Sequence, residues 1–290
     1  MLLGGLALTC LTACSDDDTR EASPTVDPNC IGAAFDGTNV GTKELEETDP
    51  TEIKLTVIRD KTDAAATVNI EVQANTDNVF KIPQSVSFAA GQAKADLIIT
   101  FPDAGLKKDY SFEISLESSA VNPYKGNSNA TFTIQRLRWV TIPGVFTFKD
   151  WVFDGQGYDV EVQRVEGENR YRIVNPFEKA LEGNENGDIE AADEYLYFTI
   201  NPNNNGVSFD TYSTGYFQED GSLIVGLSAL DFLGIDDVNS KYDPKVNPKT
   251  VTFNVYYYGE SEEEGAGGLI GQKESVLILP ADFELISAEE

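Results

Sequence analysis

From Glu52 onward the chain consists of short runs in which apolar and polar residues alternate, and this period of two restricts the fold more than any other feature. Ile53, Leu55 and Val57 share one face of such a run, as do Val68, Ile70 and Val72. The pattern recurs at Val86 and Phe88, Leu97 and Ile99, Phe112, Ile114 and Leu116, and Phe132 and Ile134. A strand sends successive side chains to opposite faces, so each run buries one face and wets the other. Separated by turns rich in Asp, Asn, Gly and Pro, and without helical periodicity between them, these runs predict a β-sandwich. The pattern breaks at Pro143-Gly144 within RLRWVTIPG, and a second series begins: Phe146 and Phe148, YDVEVQRV, RYRIV, EYLYFTI, GVSFDTY from Gly206, GSLIVGL, TVTFNVYYY and ESVLIL. Turns at 201–206 and at Asp220-Gly221 join neighbouring runs as hairpins. The expectation is an all-β chain of two β-sandwich-type domains in tandem, spanning 34–137 and 138–290, with Trp139 wedged where they meet.

The segment ahead of these domains is of another kind. Leu2 to Ala13 is apolar, too short for the ~20 residues that span a bilayer as a helix and of the length of a secretory h-region. No basic residues precede it, so the natural start is expected a few residues upstream. The run closes in Leu11-Thr12-Ala13-Cys14, which resembles the lipobox of bacterial lipoproteins, and Ser15, Asp16, Asp17 and Asp18 resemble the acidic export tag of Bacteroidetes surface lipoproteins. That resemblance implies a signal peptide over 1–13, diacylglycerol on Cys14, and attachment to outer-membrane lipid on the cell's exterior side. Several acyl chains hold a soluble domain on a membrane without a spanning helix. Plain secretion with cleavage near Ala13, and a triplet that only begins a solvated tether, are the alternatives. Residues 14–33, with Pro24 and Pro28, read as that flexible tether.

Composition removes whole classes of function. With 21 basic against 49 acidic residues the formal charge is −28, which repels phosphate backbones, so no nucleic-acid partner is expected. The chain has no histidine, which excludes Ser-His-Asp and Cys-His nucleophiles as usually built, and His-ligated zinc, copper and haem. Phosphate-binding glycine loops are absent. Cys10 leaves with the signal and Cys14 is the anchor, so Cys30 has no disulfide partner. Among so many acidic residues a carboxylate pair carries little information, and two small sandwiches do not enclose a glycosidase site. The chain is therefore expected not to be an enzyme and to need no cofactor. The stretch Glu182 to Asp193 echoes a calcium loop, with Glu182, Asn184, Asn186, Asp188 and Asp193 at ligand spacings. Its first and last acidic positions are exchanged, so a solvated acidic hairpin without metal is expected.

EIKLTVIRD, ATVNIEV, SVSFAAGQ and YSFEISLE, between Thr42 and Gln135, resemble Calx-β and related immunoglobulin-like domains, with Tyr110 placed as a tyrosine corner. Metal binding is not carried over, because Lys107 and Lys108 separate Asp103 from Asp109. The progression WVFDG, VEVQR, NRYRIVNPF resembles a C-terminal β domain of Bacteroidetes lipoproteins found beside polysaccharide-utilisation systems. In TVTFNVYYY, Val251, Phe253, Val255 and Tyr257 share one face, leaving Tyr256 and Tyr258 on the other; in EYLYFTI, Tyr195 and Tyr197 likewise point away from Leu196, Phe198 and Ile200. Adjacent strands would merge these four tyrosines into one patch, and a tyrosine face with its hydroxyl suits a sugar ring. Tyrosines also populate strands or lie under covering segments, and that reading stays open beside the first. Trp151, bordering the turn at 154–157, joins the candidate ligand-binding residues. The resemblance says nothing of a ligand; with the tyrosine faces the expectation is a glycan-binding accessory protein of a polysaccharide-utilisation system, with polysaccharide or outer-membrane uptake proteins as partners, and a structural or adhesive lipoprotein working through protein contacts is the alternative.

Overall fold

A computed structural model describes Ser23 and residues 25–37, 41–261 and 266–287. It divides into two compact units, the first comprising residues up to Thr42, Thr51–Ala104 and Tyr110–Thr133, the second Lys43–Pro50, Gly105–Asp109 and Ile134 onward.

Among the described residues, eight strands come before residue 138: β1 (Ala34–Phe35), β2 (Gly41–Glu46), β3 (Glu52–Ile58), β4 (Ala66–Asn75), β5 (Ser85–Phe88), β6 (Lys94–Thr100), β7 (Asp109–Leu116) and β8 (Asn129–Leu137). They form a three-stranded sheet ordered β1-β3-β6 and a five-stranded sheet ordered β2-β8-β7-β4-β5. Alternation decides the first unit's core: Leu55, Val57, Leu97, Ile99 and Phe112 are buried, and Phe80 lies edge-on to Phe101 and Phe112. Val72 keeps its register opposite the buried Ile114 yet is half exposed, at the point where the β4–β7 pairing slips by one residue before Ala74. The buried Arg59 had no sequence signal. Its guanidinium donates to the carbonyls of Ala64, Ala89 and Gln92 and lies over the Phe88 ring, so each of its three nitrogens has an acceptor.

The second unit adds β9 (Trp139–Thr141), β10 (Phe146–Lys149), β11 (Tyr158–Val165), β12 (Arg170–Val174), helix α1 (Glu178–Leu181), β13 (Gly187–Ala192), β14 (Tyr195–Ile200), β15 (Val207–Phe209), β16 (Tyr212–Phe217), β17 (Leu223–Leu227), helix α2 (Ala229–Leu233), β18 (Lys241–Asp243), β19 (Thr250–Glu260) and β20 (Gly268–Ile278). These strands make one antiparallel sheet ordered β13-β16-β17-β19-β20-β10-β11-β12-β14-β15, with β9 on β11 and β18 on β19. The sheet curls until its halves face each other, and Phe253 of β19 stands at the contact. Its ring meets Phe148, Phe198 and Phe209 edge-on, with centroids 6.4, 5.3 and 5.5 Å away. The all-β architecture follows the alternation closely. Two details differ from the expectation: GVSFDTY is two strands that break at Asp210-Thr211, and the acidic stretch at 182–193 yields β13, which pairs with β16.

The two faces of β19 provide a stability test. Phe253→Ala removes a ring that spans both halves of the curled sheet and is expected to cost roughly 3–5 kcal/mol in urea unfolding. Tyr258→Ala, at a position 37% exposed on the opposite face, is expected to change stability by no more than about 0.5 kcal/mol.

Candidate functional site

The aromatic residues singled out by their strand faces do point outward, but they are not brought together. β14 and β19 are separated in the sheet by β12, β11, β10 and β20, and Tyr195 and Tyr197 lie on the outside of one half while Tyr256 and Tyr258 lie on the outside of the other. The four-tyrosine patch is thus replaced by two separate pairs. Near the first pair, Arg172 of β12 is 4% exposed, its guanidinium 3.9 Å from the Tyr195 ring and 4.5 Å from that of Trp139. Its charge is matched by Glu46 and by a 2.7 Å bond to Gln163. Tyr197 stands beside both Trp139 and Tyr195. This pair is engaged with an arginine, whose donors a carboxylate and an amide already accept.

Trp151 follows Asp150, whose side chain caps a 3-10 turn by accepting from Val152 N–H at 3.1 Å. The Asp150 carboxylate is fully enclosed. It also accepts from the hydroxyls of Tyr257 at 2.7 Å, Tyr212 at 3.0 Å and Ser275 at 2.8 Å. One backbone donor from the adjacent turn and three side-chain donors, each from a different strand of the curled sheet, thus meet the lone pairs of one carboxylate. Burial still raises its pKa above the usual carboxylate value, and burial likewise pushes the Tyr212 and Tyr257 phenols well up. The Trp151 indole, 38% exposed, lies 5.2 Å from the Tyr257 ring, with the Lys273 ammonium 5.9 Å from the indole. Trp151 therefore covers the buried knot, on the inward face of β20, away from Tyr256 and Tyr258.

Tyr256 lies beneath Phe232 of α2, the rings stacked 5.0 Å apart at 21°. A five-residue helix is not stable alone, and three ties fix this one. Ser228 caps it by accepting from Asp231 N–H, Thr211 donates to the Asp231 carboxylate at 2.8 Å, and Phe232 rests on Tyr256. Gly234, at φ +70°, ends it in the left-handed conformation that a residue with Cβ adopts at a cost.

Anchored this way, α2 and the loop behind it form one wall of a cleft of about 340 Å³, and the β14–β15 hairpin forms the other. That volume falls in the range of small-molecule sites, about 300–1,000 Å³. On the hairpin side Thr199 and Ser208 are paired across β14 and β15 and present their hydroxyls outward, while the ring of Phe209 turns into the core against Phe253. In the turn, Asn201 Oδ1 accepts from Asn203 N–H and Asn204 Oδ1 from Gly206 N–H, which leaves both side-chain NH₂ groups as donors. Across from them stand Leu230, 59% exposed, and two aspartates. Asp237 is committed: it accepts from the backbone N–H groups of Asn239 and Ser240 and from the Ser240 hydroxyl. Asp236 is exposed, and no described residue donates to its carboxylate.

The cleft combines apolar surface with fixed donors and free acceptors, a composition suited to a polyhydroxyl ligand. Sequence reasoning missed it because its walls come from a turn and a short helix without periodicity. The available signals were the asparagine-rich turn at 201–205 and the unpatterned apolar residues of 230–238. Cys14 and Ser15 to Asp18 lie outside the described residues. Among the described residues no group of three or more Asp, Glu or Cys side chains is arranged to hold a metal ion.

No protein-family model matches the chain, and no curated protein matches it in sequence. Among solved structures, a presumptive carbohydrate-binding protein from Bacteroides ovatus aligns with 88% of this chain and 100% of its own at 11% identity and TM-score 0.29. An auxiliary nutrient-binding protein from Bacteroides thetaiotaomicron aligns over 83% of this chain and 90% of its own at 13% identity and TM-score 0.29. The Escherichia coli chaperone DraB aligns over 68% and 92% respectively, at 18% identity and TM-score 0.26. Similarity this weak assigns neither fold nor function to the chain.

The buried carboxylate has a pH signature. A group whose pKa is raised in the folded state contributes stability that is complete below its unfolded value, ~3.9 for aspartate, and is lost as pH rises through the folded value. The stability difference between the wild type and Asp150→Asn is therefore expected to favour the wild type most in acid and to shrink toward neutral pH. Urea midpoints of both proteins from acid to neutral pH check this, and a constant difference would show that Asp150 does not titrate in that window.

Proposed function

We propose that this protein is a lipid-anchored surface lipoprotein that binds a saccharide without chemically altering it. The observation that carries the reading is the cleft between the β14–β15 hairpin and α2. Its amide donors are held in place by the turn, the Thr199 and Ser208 hydroxyls accept, and Leu230 supplies the apolar surface on which a sugar ring rests. Pre-set polar groups lower the protein's own ordering cost on binding. Cys14 would carry the acyl chains, Ser15 to Asp18 would direct outward display, and the immunoglobulin-like first domain would act as a spacer. An accessory role beside polysaccharide-uptake proteins fits such a binder.

The structural or adhesive reading also has an observation in its favour. Leu233, Ile235 and Val238, on and just after α2, are exposed, Val238 to 85%. Contiguous exposed apolar residues mark protein contacts. Concentration-dependent self-association abolished by Ile235→Ser with Val238→Ser, measured by sedimentation, would favour that reading.

Two results are expected from the main one. Neutral oligosaccharides screened by calorimetry should include a binder whose affinity falls at least about tenfold in Ser208→Lys, which fills the cleft from an exposed position, and stays unchanged in Tyr195→Ala. A binder indifferent to Ser208→Lys would place the site elsewhere. Separately, Cys14→Ala should abolish incorporation of a palmitate analogue and release the protein from the membrane fraction; label retained by the variant would end the lipoprotein assignment.

A further inference from the structure

Every residue that lines the cleft is neutral except Asp236 and Asp237, and neither lysine nor arginine is among them. The nearest base along the backbone is Lys241, whose backbone bridges Gly206 of the turn and which is not among the lining residues. The two aspartates are not equivalent. Asp237 is spent on shaping its own loop, where it accepts from Asn239 and Ser240, while Ser240 in turn accepts from the backbone N–H of Asn254 at 2.7 Å. That chain of bonds fixes the loop to β19 and holds the neighbouring residue, Asp236, at the cleft. A charge at the mouth of such a site discriminates by sign: it attracts a cation, repels an anion and leaves a neutral group little affected.

We infer that Asp236 is a specificity-determining residue and that the cleft prefers a saccharide carrying a protonated amine, a free hexosamine unit, over its acetylated or anionic counterparts. The inference rests on the saccharide reading above and adds the ligand's charge to it. The Asn201 and Asn204 amides donate to sugar hydroxyls, Thr199 and Ser208 exchange hydrogen bonds with others, and the ammonium donates to Asp236. A uronate in the same position would bring its carboxylate toward that of Asp236 with no base in the lining to offset the repulsion.

Three tetrasaccharides test this by calorimetry on the soluble chain: a glucosamine tetramer at a pH where its amines are protonated, the N-acetylglucosamine tetramer, and a galacturonate tetramer. The wild type is expected to bind the glucosamine tetramer about tenfold more tightly than the acetylated one, with the galacturonate tetramer weakest. Asp236→Asn should erase the preference for the amine while keeping affinity for the acetylated tetramer, and added salt should narrow the wild-type preference in the same direction. A preference that survives Asp236→Asn, or equal wild-type affinities for all three, overturns the role of Asp236 and leaves the saccharide site standing. Binding of none of the three overturns this inference, whereas the saccharide reading falls only if the wider screen of neutral oligosaccharides is also empty.

Discussion

The enclosed carboxylate of Asp150 is the interaction on which the second unit depends. An aspartate buried in a β core is costly unless its lone pairs are met, and here Val152, Tyr212, Tyr257 and Ser275 meet them. The donors come from β16, β19, β20 and the turn after β10, so one side chain ties together segments that are far apart in sequence. Phe177 stacks on Tyr212, and a Cβ at Gly226 would collide with the same ring, so the knot also dictates a glycine on β17. Around it the aromatic edges of Phe148, Phe198, Phe209 and Phe253 close the two halves of the sheet.

That closure explains why the outward tyrosines acquire different roles. Once the inner face is filled by phenylalanines, the outer face is left for attachments. Tyr195 and Tyr197 pack around Arg172, where a buried guanidinium needs both π surfaces and acceptors. Tyr256 supports α2 through Phe232, and so reaches the cleft indirectly by holding one wall. Trp151 seals the Asp150 knot. Tyr258 keeps an open position at the end of its strand, beside Leu223 and Glu260.

What was legible in the sequence is what periodicity encodes. The alternation in TVTFNVYYY and EYLYFTI predicts which residues face inward, and Val251, Phe253, Val255, Tyr257, Leu196, Phe198 and Ile200 are all buried. Periodicity does not say which strands become neighbours in a curled sheet, so the faces of Tyr195 and Tyr256 were readable and their separation was not. It is also silent on polar residues that fold inward. Asp150 sits in FKDW like any surface aspartate, and only the convergence of Tyr212, Tyr257 and Ser275 from later in the chain explains its burial. Local turn chemistry was legible at Asn201 to Gly206, but its pairing with a loop well downstream depends on tertiary contact.

The central claim is that the space between the β14–β15 hairpin and α2 is where this protein meets its ligand. Amide hydrogen exchange with and without a bound oligosaccharide addresses it directly, because a ligand seated there suppresses local opening of the segments it bridges. The expected result is added protection confined to 199–209 and 228–237, with the Arg172 cluster and the first unit unchanged. Protection centred on Trp151 and Lys273, or along the outer face around Tyr258, would contradict the account and move the site to one of those surfaces.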